Sequence, residues 1–293
     1  MGRDQMRAQF DLDSQPANAI AAFFARIALA AGPAIMAVYA GECVVRAKGD
    51  LSPVTLADEQ AEAVILDLLA QWASPMPVVA EEAAAKGAAM TLAETFILVD
   101  PLDGTREFIA RNGEFTVNIA LVRKGRVVAG AVYAPALDKL WFGGEQAFFC
   151  AAASGAGLPA PAFWRRLAVR RAPTQLVALA SRSHGDADTE AFLARLPIAE
   201  RRSAGSSLKF CAIAEAQADV YPRFAPTMEW DTAAGEAVLR AAGGVVLAVG
   251  GGRLRYAKTE SGLRNGGFIA WGDAGFAALA GASEKPIVNQ AAT

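Results

Sequence analysis

The segment Asp100-Pro101-Leu102-Asp103-Gly104-Thr105 sets two carboxylates around a proline, directly after the apolar run Phe96-Ile97-Leu98-Val99. An uninterrupted apolar run is the pattern of a strand buried on both faces, so a carboxylate is expected where a core strand ends. Pro101 lacks an N–H and is expected to stop the ladder, Asp103-Gly104 reads as a turn, and Thr105 to Ile109 can open a helix. Two carboxylates and the carbonyl of Leu102 form a donor set for a hard divalent cation, and the N–H groups of a helix start suit a phosphate facing it. The same six residues would equally make an ordinary strand, turn and helix cap.

Two further acidic positions follow the same logic. Val78-Val79-Ala80 runs into Glu81-Glu82, so a second apolar strand ends in acid, although adjacent glutamates are more often a solvated pair. Trp230-Asp231 precedes the helical run Thr232 to Leu239, where Asp231 fits an N-cap. An N-cap uses one carboxylate oxygen and leaves the other for a cation.

These residues need elements to position them. Residues 16 to 40 and 56 to 73 carry apolar positions at helical spacing. Short strands are expected at Met76 to Ala80, Phe96 to Val99, Thr116 to Val122, Val127 to Tyr133 and Lys139 to Phe142, joined by turns into a largely antiparallel meander. Ala151 to Pro161 is rich in Ala, Gly, Pro and Ser and marks a boundary, giving an α+β half over residues 1–160 and an α/β half over 161–293. The second half alternates: strand Leu176 to Ser181, helix Asp188 to Leu196, helix Ser207 to Gln217, strand Ala218 to Tyr221, helix Thr232 to Ala242, strand Val245 to Val249.

Composition narrows the chemistry. Among 293 residues, 28 Lys and Arg nearly balance 30 Asp and Glu, which leaves no general field to attract nucleic acid or an anionic membrane. Three distant cysteines, Cys43, Cys150 and Cys211, contain no C-x-x-C pair and are read as interior thiols. A single histidine, His184, cannot complete a histidine zinc site, so any metal must be held by oxygen and belong with magnesium or manganese. No run of 18 apolar residues and no secretory h-region is present, which predicts a cytoplasmic protein with no transmembrane segment.

Taken in order, Ser52-Pro53-Val54-Thr55-Leu56-Ala57-Asp58, Ala80-Glu81-Glu82, Asp100 to Thr105 and Trp230-Asp231-Thr232-Ala233-Ala234-Gly235 resemble the signatures of the inositol monophosphatase-like superfamily. Arg106 to Asn118, Ser181-Arg182-Ser183-His184, Gly205 to Phe210 and Tyr221-Pro222-Arg223-Phe224 look like its bacterial 3′(2′),5′-bisphosphate nucleotidase branch, in which Glu107 stands where inositol phosphatases tend to have Asn. The resemblance covers roughly residues 17 to 272. It implies a layered αβαβα fold of the sugar-phosphatase type and hydrolysis of a phosphorylated nucleotide with two or three magnesium ions. One ion is implied at Glu81, Asp100 and the Leu102 carbonyl, another at Asp100, Asp103 and Asp231. Thr105, paired with Asp58, is implied as the group that orients the attacking water, with Glu81 assisting. Substrate contacts are implied at Glu81, Leu102, Asp103, Gly104, Thr105 and Asp231.

For the nucleotide itself the residues are Ser206, Ser207, Lys209 and Arg223. Gly205-Ser206-Ser207 ahead of a helical run offers N–H donors to an anion, and simple N-capping by the serines is an equal reading. The resemblance also implies lithium inhibition, a monomer or homodimer, and leaves room for peripheral attachment to the cytoplasmic face of the inner membrane. An inositol or sugar phosphate monoesterase with the same metal site is the alternative.

Overall fold

In the computed structural model, residues 9–41, 45–47, 53–87, 92–181 and 187–282 are described. Cys43 and His184 lie outside them. The elements in chain order are α1 (Ala17–Ala40), β1 (Val45–Ala47), β2 (Pro53–Thr55), α2 (Leu56–Trp72), β3 (Val78–Ala80), α3 (Glu81–Ala85), β4 (Thr95–Asp103), α4 (Thr105–Ile109), β5 (Thr116–Arg123), β6 (Arg126–Ala134), β7 (Lys139–Gly143), β8 (Ala147–Ala151) and β9 (Arg165–Leu167). They continue with β10 (Leu176–Ser181), α5 (Ala187–Leu193), β11 (Ile198–Ala204), α6 (Leu208–Ala214), β12 (Val220–Arg223), β13 (Thr227–Met228), α7 (Glu229–Ala241), β14 (Val245–Ala248), β15 (Arg264–Asn265), β16 (Phe268–Trp271) and α8 (Ala274–Ala282).

Strands β3 to β9 form one sheet in sequence order, antiparallel except for the parallel β3–β4 pair. A second sheet runs β11-β10-β12-β16-β14, parallel among its first three strands and antiparallel where β16 joins. Alternation along the strands shows why both sheets are interior. On β4, Ile97 and Val99 face the core under α1 and α2, while Phe96 and Leu98 face the core around α6 and α7. On the second sheet, Leu179, Tyr221 and Ala270 point into that same central core, while Ala178, Val220 and Trp271 face the core that includes Leu193 of α5 and Phe276 of α8. The layers are therefore helix, sheet, helix, sheet, helix, the expected αβαβα arrangement. Large fully buried side chains such as Phe96, Phe108 and Phe115 each contribute about 1.5–3 kcal/mol of burial to it.

Helix α1 is long and apolar enough to cross a membrane, the one such helix among the described residues. It packs instead as a core helix against α2, β6 and β7, with Ile20, Phe24, Ile27 and Ile35 fully buried.

Strands β8, β9, β11 and β16 were not foreseen from the sequence. Ile198–Ala204 reads as polar because Glu200, Arg201 and Arg202 sit on an edge strand, where charge is tolerated and blunts the edge. Helix α7 begins at Glu229, three residues before the expected Thr232, and α6 spans only Leu208–Ala214 rather than reaching Gln217. Strand β12 runs from Val220 to Arg223, so the Tyr221-Pro222-Arg223 stretch belongs to the sheet.

Candidate active site

Strand β4 does not stop at Pro101. It continues to Asp103, pairing Asp100 with Asn118 and Asp103 with Thr116, so three steps on β4 match two on β5. That single extra residue is a β-bulge, and it corrects the expectation that Pro101 stops the ladder, whereas the expected turn at Asp103-Gly104 is present. In a regular strand, residues three apart point to opposite faces; the inserted residue re-aims the strand, as bulges do beside functional sites. Asp100 is buried, and its Oδ1 accepts the Leu102 N–H at 3.0 Å.

Other elements deliver the remaining acids. Glu81 opens α3 where β3 ends, and Asp231 lies in the first turn of α7, at the third helical residue rather than at the cap. Its Oδ2 accepts the Met228 N–H at 2.8 Å, which orients the side chain. Carboxylate oxygens of Glu81, Asp100 and Asp231 lie within 4.8 Å of one another, the grouping among the described residues that could hold a metal. Asp103 stands beside this group, its Oδ2 accepting from Ser207 Oγ at 3.1 Å and Asn118 Nδ2 at 3.4 Å.

Burial, together with the repulsion of Glu81, Asp103 and Asp231, pushes the Asp100 carboxyl well above the usual range. Burial and the charges of Asp103 and Glu81 do the same to Asp231. Burial raises Asp103 to about 6, against the opposing pull of Lys209. Such crowding is what a divalent cation relieves, so the residues fit the implied metal. The sign for stability follows. A carboxylate whose folded pKa is raised costs nothing below its unfolded value of about 3.8, costs progressively more as pH rises from there to its folded value, and carries the full cost above it. Stabilisation by saturating Mg2+, measured as the Tm difference from protein in EDTA, is expected to grow from pH 4 to beyond pH 6; a difference that shrinks over this range would contradict the cluster's role.

Asp58 does two jobs. Its Oδ2 accepts the Thr55 N–H at 2.8 Å and the Thr55 hydroxyl at 2.7 Å, closing the capping box that starts α2, while Oδ1 accepts the Thr105 hydroxyl at 3.3 Å. Gly104, at φ +95°, makes the turn into α4; a Cβ there would meet Ser206 Oγ at 2.2 Å.

The serines do not cap α6. Neither provides a side-chain cap; Ser207 Oγ bonds Asp103 and the Asp231 carbonyl, and Ser206 Oγ bonds the carbonyls of Asp103 (2.7 Å) and Glu114 (2.8 Å). Lys209 is buried, with Nζ donating to the carbonyls of Ala204 (3.0 Å) and Ser206 (2.8 Å) and lying over the Tyr221 ring. Burial, helped by Arg223, lowers its pKa to about 8. A cavity of about 290 Å3 is lined by Glu81, Asp103, Gly104, Thr105 and Asp231 together with Ser206, Lys209 and Arg223. Asp58, Asp100, Leu102 and Ser207 are not part of this lining.

Sequence reading missed Glu62, buried on α2, whose Oε2 accepts the Glu82 N–H at 2.8 Å and so fastens the start of α3 next to Glu81. The signal was present: Glu62 lies four residues after Asp58 and shares its helix face. Glu82 is buried and is not one of the three grouped carboxylates. Glu107 lines the cavity, together with Thr227 and Phe268, which no sequence motif singled out.

The fold and this centre define an αβαβα protein with a cluster of carboxylates that could hold a divalent metal, beside a cavity lined by residues of both large sheets. The chain belongs to the inositol monophosphatase family, which it matches over residues 17–278. It is 46% identical over 244 residues to the 3′(2′),5′-bisphosphate nucleotidase CysQ of Shigella flexneri and 44% identical over 243 residues to that of Escherichia coli K12; each alignment spans 82% of this chain and 95% of the relative. The crystal structure of CysQ from Bacteroides thetaiotaomicron, a bacterial member of the family, superposes with a TM-score of 0.72 at 40% identity, over 88% of this chain and 98% of that one. Membership implies a divalent-metal requirement.

Proposed function

We propose that this chain is a Mg2+-dependent 3′(2′),5′-bisphosphate nucleotidase that hydrolyses adenosine 3′,5′-bisphosphate to AMP and phosphate, with 3′-phosphoadenosine phosphosulfate as a further substrate. The observation that carries this reading is that one cavity is lined both by carboxylates of the cluster and by the cations Lys209 and Arg223. A bisphosphate offers one phosphate to a metal held by the carboxylates and a second to the cations. The phosphate to be released lies toward Glu81, Asp103 and Asp231, and the other meets Lys209, two of whose three donors are committed to carbonyls. The activity named for the relatives at 44–46% identity supports the same substrate class.

Glu81, Asp100, Asp103, Asp231 and the Leu102 carbonyl would hold two or three Mg2+, which would neutralise phosphate oxygens and acidify a water. The protein's own part is proton handling and orientation. Thr105 donates its hydroxyl hydrogen to Asp58, which leaves its lone pairs to accept a hydrogen bond from water at the cavity wall. Asp58 is kept an acceptor by the three donors around it. Arg223 Nε donates to the Ala225 carbonyl at 3.2 Å, which holds the guanidinium beside the cavity.

A cytoplasmic location, as monomer or homodimer, belongs to this reading. Phosphate release from adenosine 3′,5′-bisphosphate, inositol 1-phosphate and fructose 1,6-bisphosphate with Mg2+ tests it. The bisphosphonucleotide is expected to show kcat/KM at least about tenfold above the other two; the reverse order with inositol 1-phosphate would replace this reading with the inositol phosphatase one.

A further inference from the structure

Glu114 lies in the short connection between α4 and β5, outside the metal ligands and outside the cavity lining. Its Oε2 accepts the Gly205 N–H at 2.8 Å, its carbonyl accepts the Ser206 hydroxyl at 2.8 Å, and its own N–H donates to Asn112 Oδ1 at 2.9 Å. One residue of the first half therefore holds two consecutive residues of the second. The contact is close: a Cβ at Gly205 would stand 2.6 Å from the Glu114 carbonyl oxygen. Ser206 has φ +48°, a left-handed conformation that a non-glycine residue keeps only when its surroundings enforce it. The carbonyls of Ala204 and Ser206, on either side of the clamped Gly205, are the two that receive Lys209 Nζ.

We propose that Glu114 is a positioning residue, clamping residues 204–207 so that Lys209 is held at the correct height for the substrate's second anionic group. The assignment of Lys209 to that group rests on the nucleotidase reading above; the clamp itself does not. Because Glu114 touches neither the reacting phosphate nor the carboxylate cluster, its loss acts mainly on substrate binding, and its effect on the chemical step is limited to what loosening the Ser207 hydrogen bond to Asp103 conveys.

The test compares Glu114→Ala with Glu114→Gln, whose amide oxygen can still accept the Gly205 N–H. Glu114→Ala is expected to raise KM for adenosine 3′,5′-bisphosphate about tenfold or more with kcat within about threefold, whereas Glu114→Gln stays near wild type in both. Hydrogen exchange of residues 204–209 in metal-free, substrate-free protein is expected to speed up in the Ala variant and not in the Gln variant. Should Glu114→Ala not fold, Glu114→Asp, one methylene too short to reach Gly205, is expected to show the same rise in KM and the same faster exchange. Unchanged exchange and KM in the Ala variant (or the Asp variant in its place), or a Gln variant as impaired as Ala, would overturn the clamp. If wild type releases no phosphate from the bisphosphonucleotide, the nucleotidase reading fails while the exchange measurement still decides the clamp.

Discussion

Asp100→Asn is expected to lower kcat/KM by about three orders of magnitude or more while leaving the metal-free protein as stable as wild type or more so. The loss corresponds to about 4 kcal/mol of transition-state stabilisation, within what removal of a ligand from a metal centre takes away. The unusual half of the outcome is the stability. Asp100 is fully interior and crowded by Glu81, Asp103 and Asp231, so without a cation its charge is a liability. Asn keeps an oxygen to accept the Leu102 N–H, so the bulge survives and a repulsive charge is gone. Steady-state kinetics with Mg2+, and melting in EDTA with and without added Mg2+, measure both halves. Asp103→Asn, which can likewise still accept from Ser207, is expected to abolish turnover and weaken Mg2+ binding with the fold intact. Turnover within tenfold of wild type in either variant would refute the assignment of the centre.

Thr105→Val is expected to lower kcat by a factor of about 100 to 1,000 with little change in KM. That is the range spanned by positioned proton-transfer groups, and valine preserves the branched shape at the first residue of α4 while deleting the hydroxyl. Asp58→Asn should fall into the same range, because its role in the reaction runs through Thr105. The two are a unit, so the double variant is expected to be no worse than the poorer single one, and multiplicative losses would show that they act separately. Asp58→Asn carries a further signature. Asp58 closes the capping box of α2, so its replacement is expected to cost about 0.5–2 kcal/mol of stability by denaturant titration, whereas Thr105→Val should cost less.

Local chemistry made much of this centre legible along the chain. An apolar run meeting acid reads as a buried strand that delivers a charge; β3 does so at its end with Glu81, whereas β4 carries Asp100 within it and runs on to Asp103. Thr55 and Asp58, three residues apart, close their capping box within one helical turn, a local relation that the sequence reading did not draw. Oxygen-only ligation follows from a chain with one histidine and three scattered cysteines. Alternation of apolar residues likewise placed most strands of the first sheet and the two long N-terminal helices.

Other features had no local signature, because they depend on groups far apart in the chain. The bulge at Pro101-Leu102 exists only in register with β5, and that register decides where Asp100 and Asp103 point. Ser206 and Ser207 were equally good caps by sequence; the approach of Asp103 and Glu114, about ninety to a hundred residues away, drew their hydroxyls elsewhere. The edge strand Ile198–Ala204 was hidden by its charges. Residue types and short spacings thus determined that this protein carries an acidic, oxygen-donor centre at Asp100 to Thr105. The tertiary structure decided how closely Glu81, Asp100 and Asp231 converge there and that Lys209 and Arg223 share the cavity, because convergence is a property of sheet register and layer packing rather than of any segment.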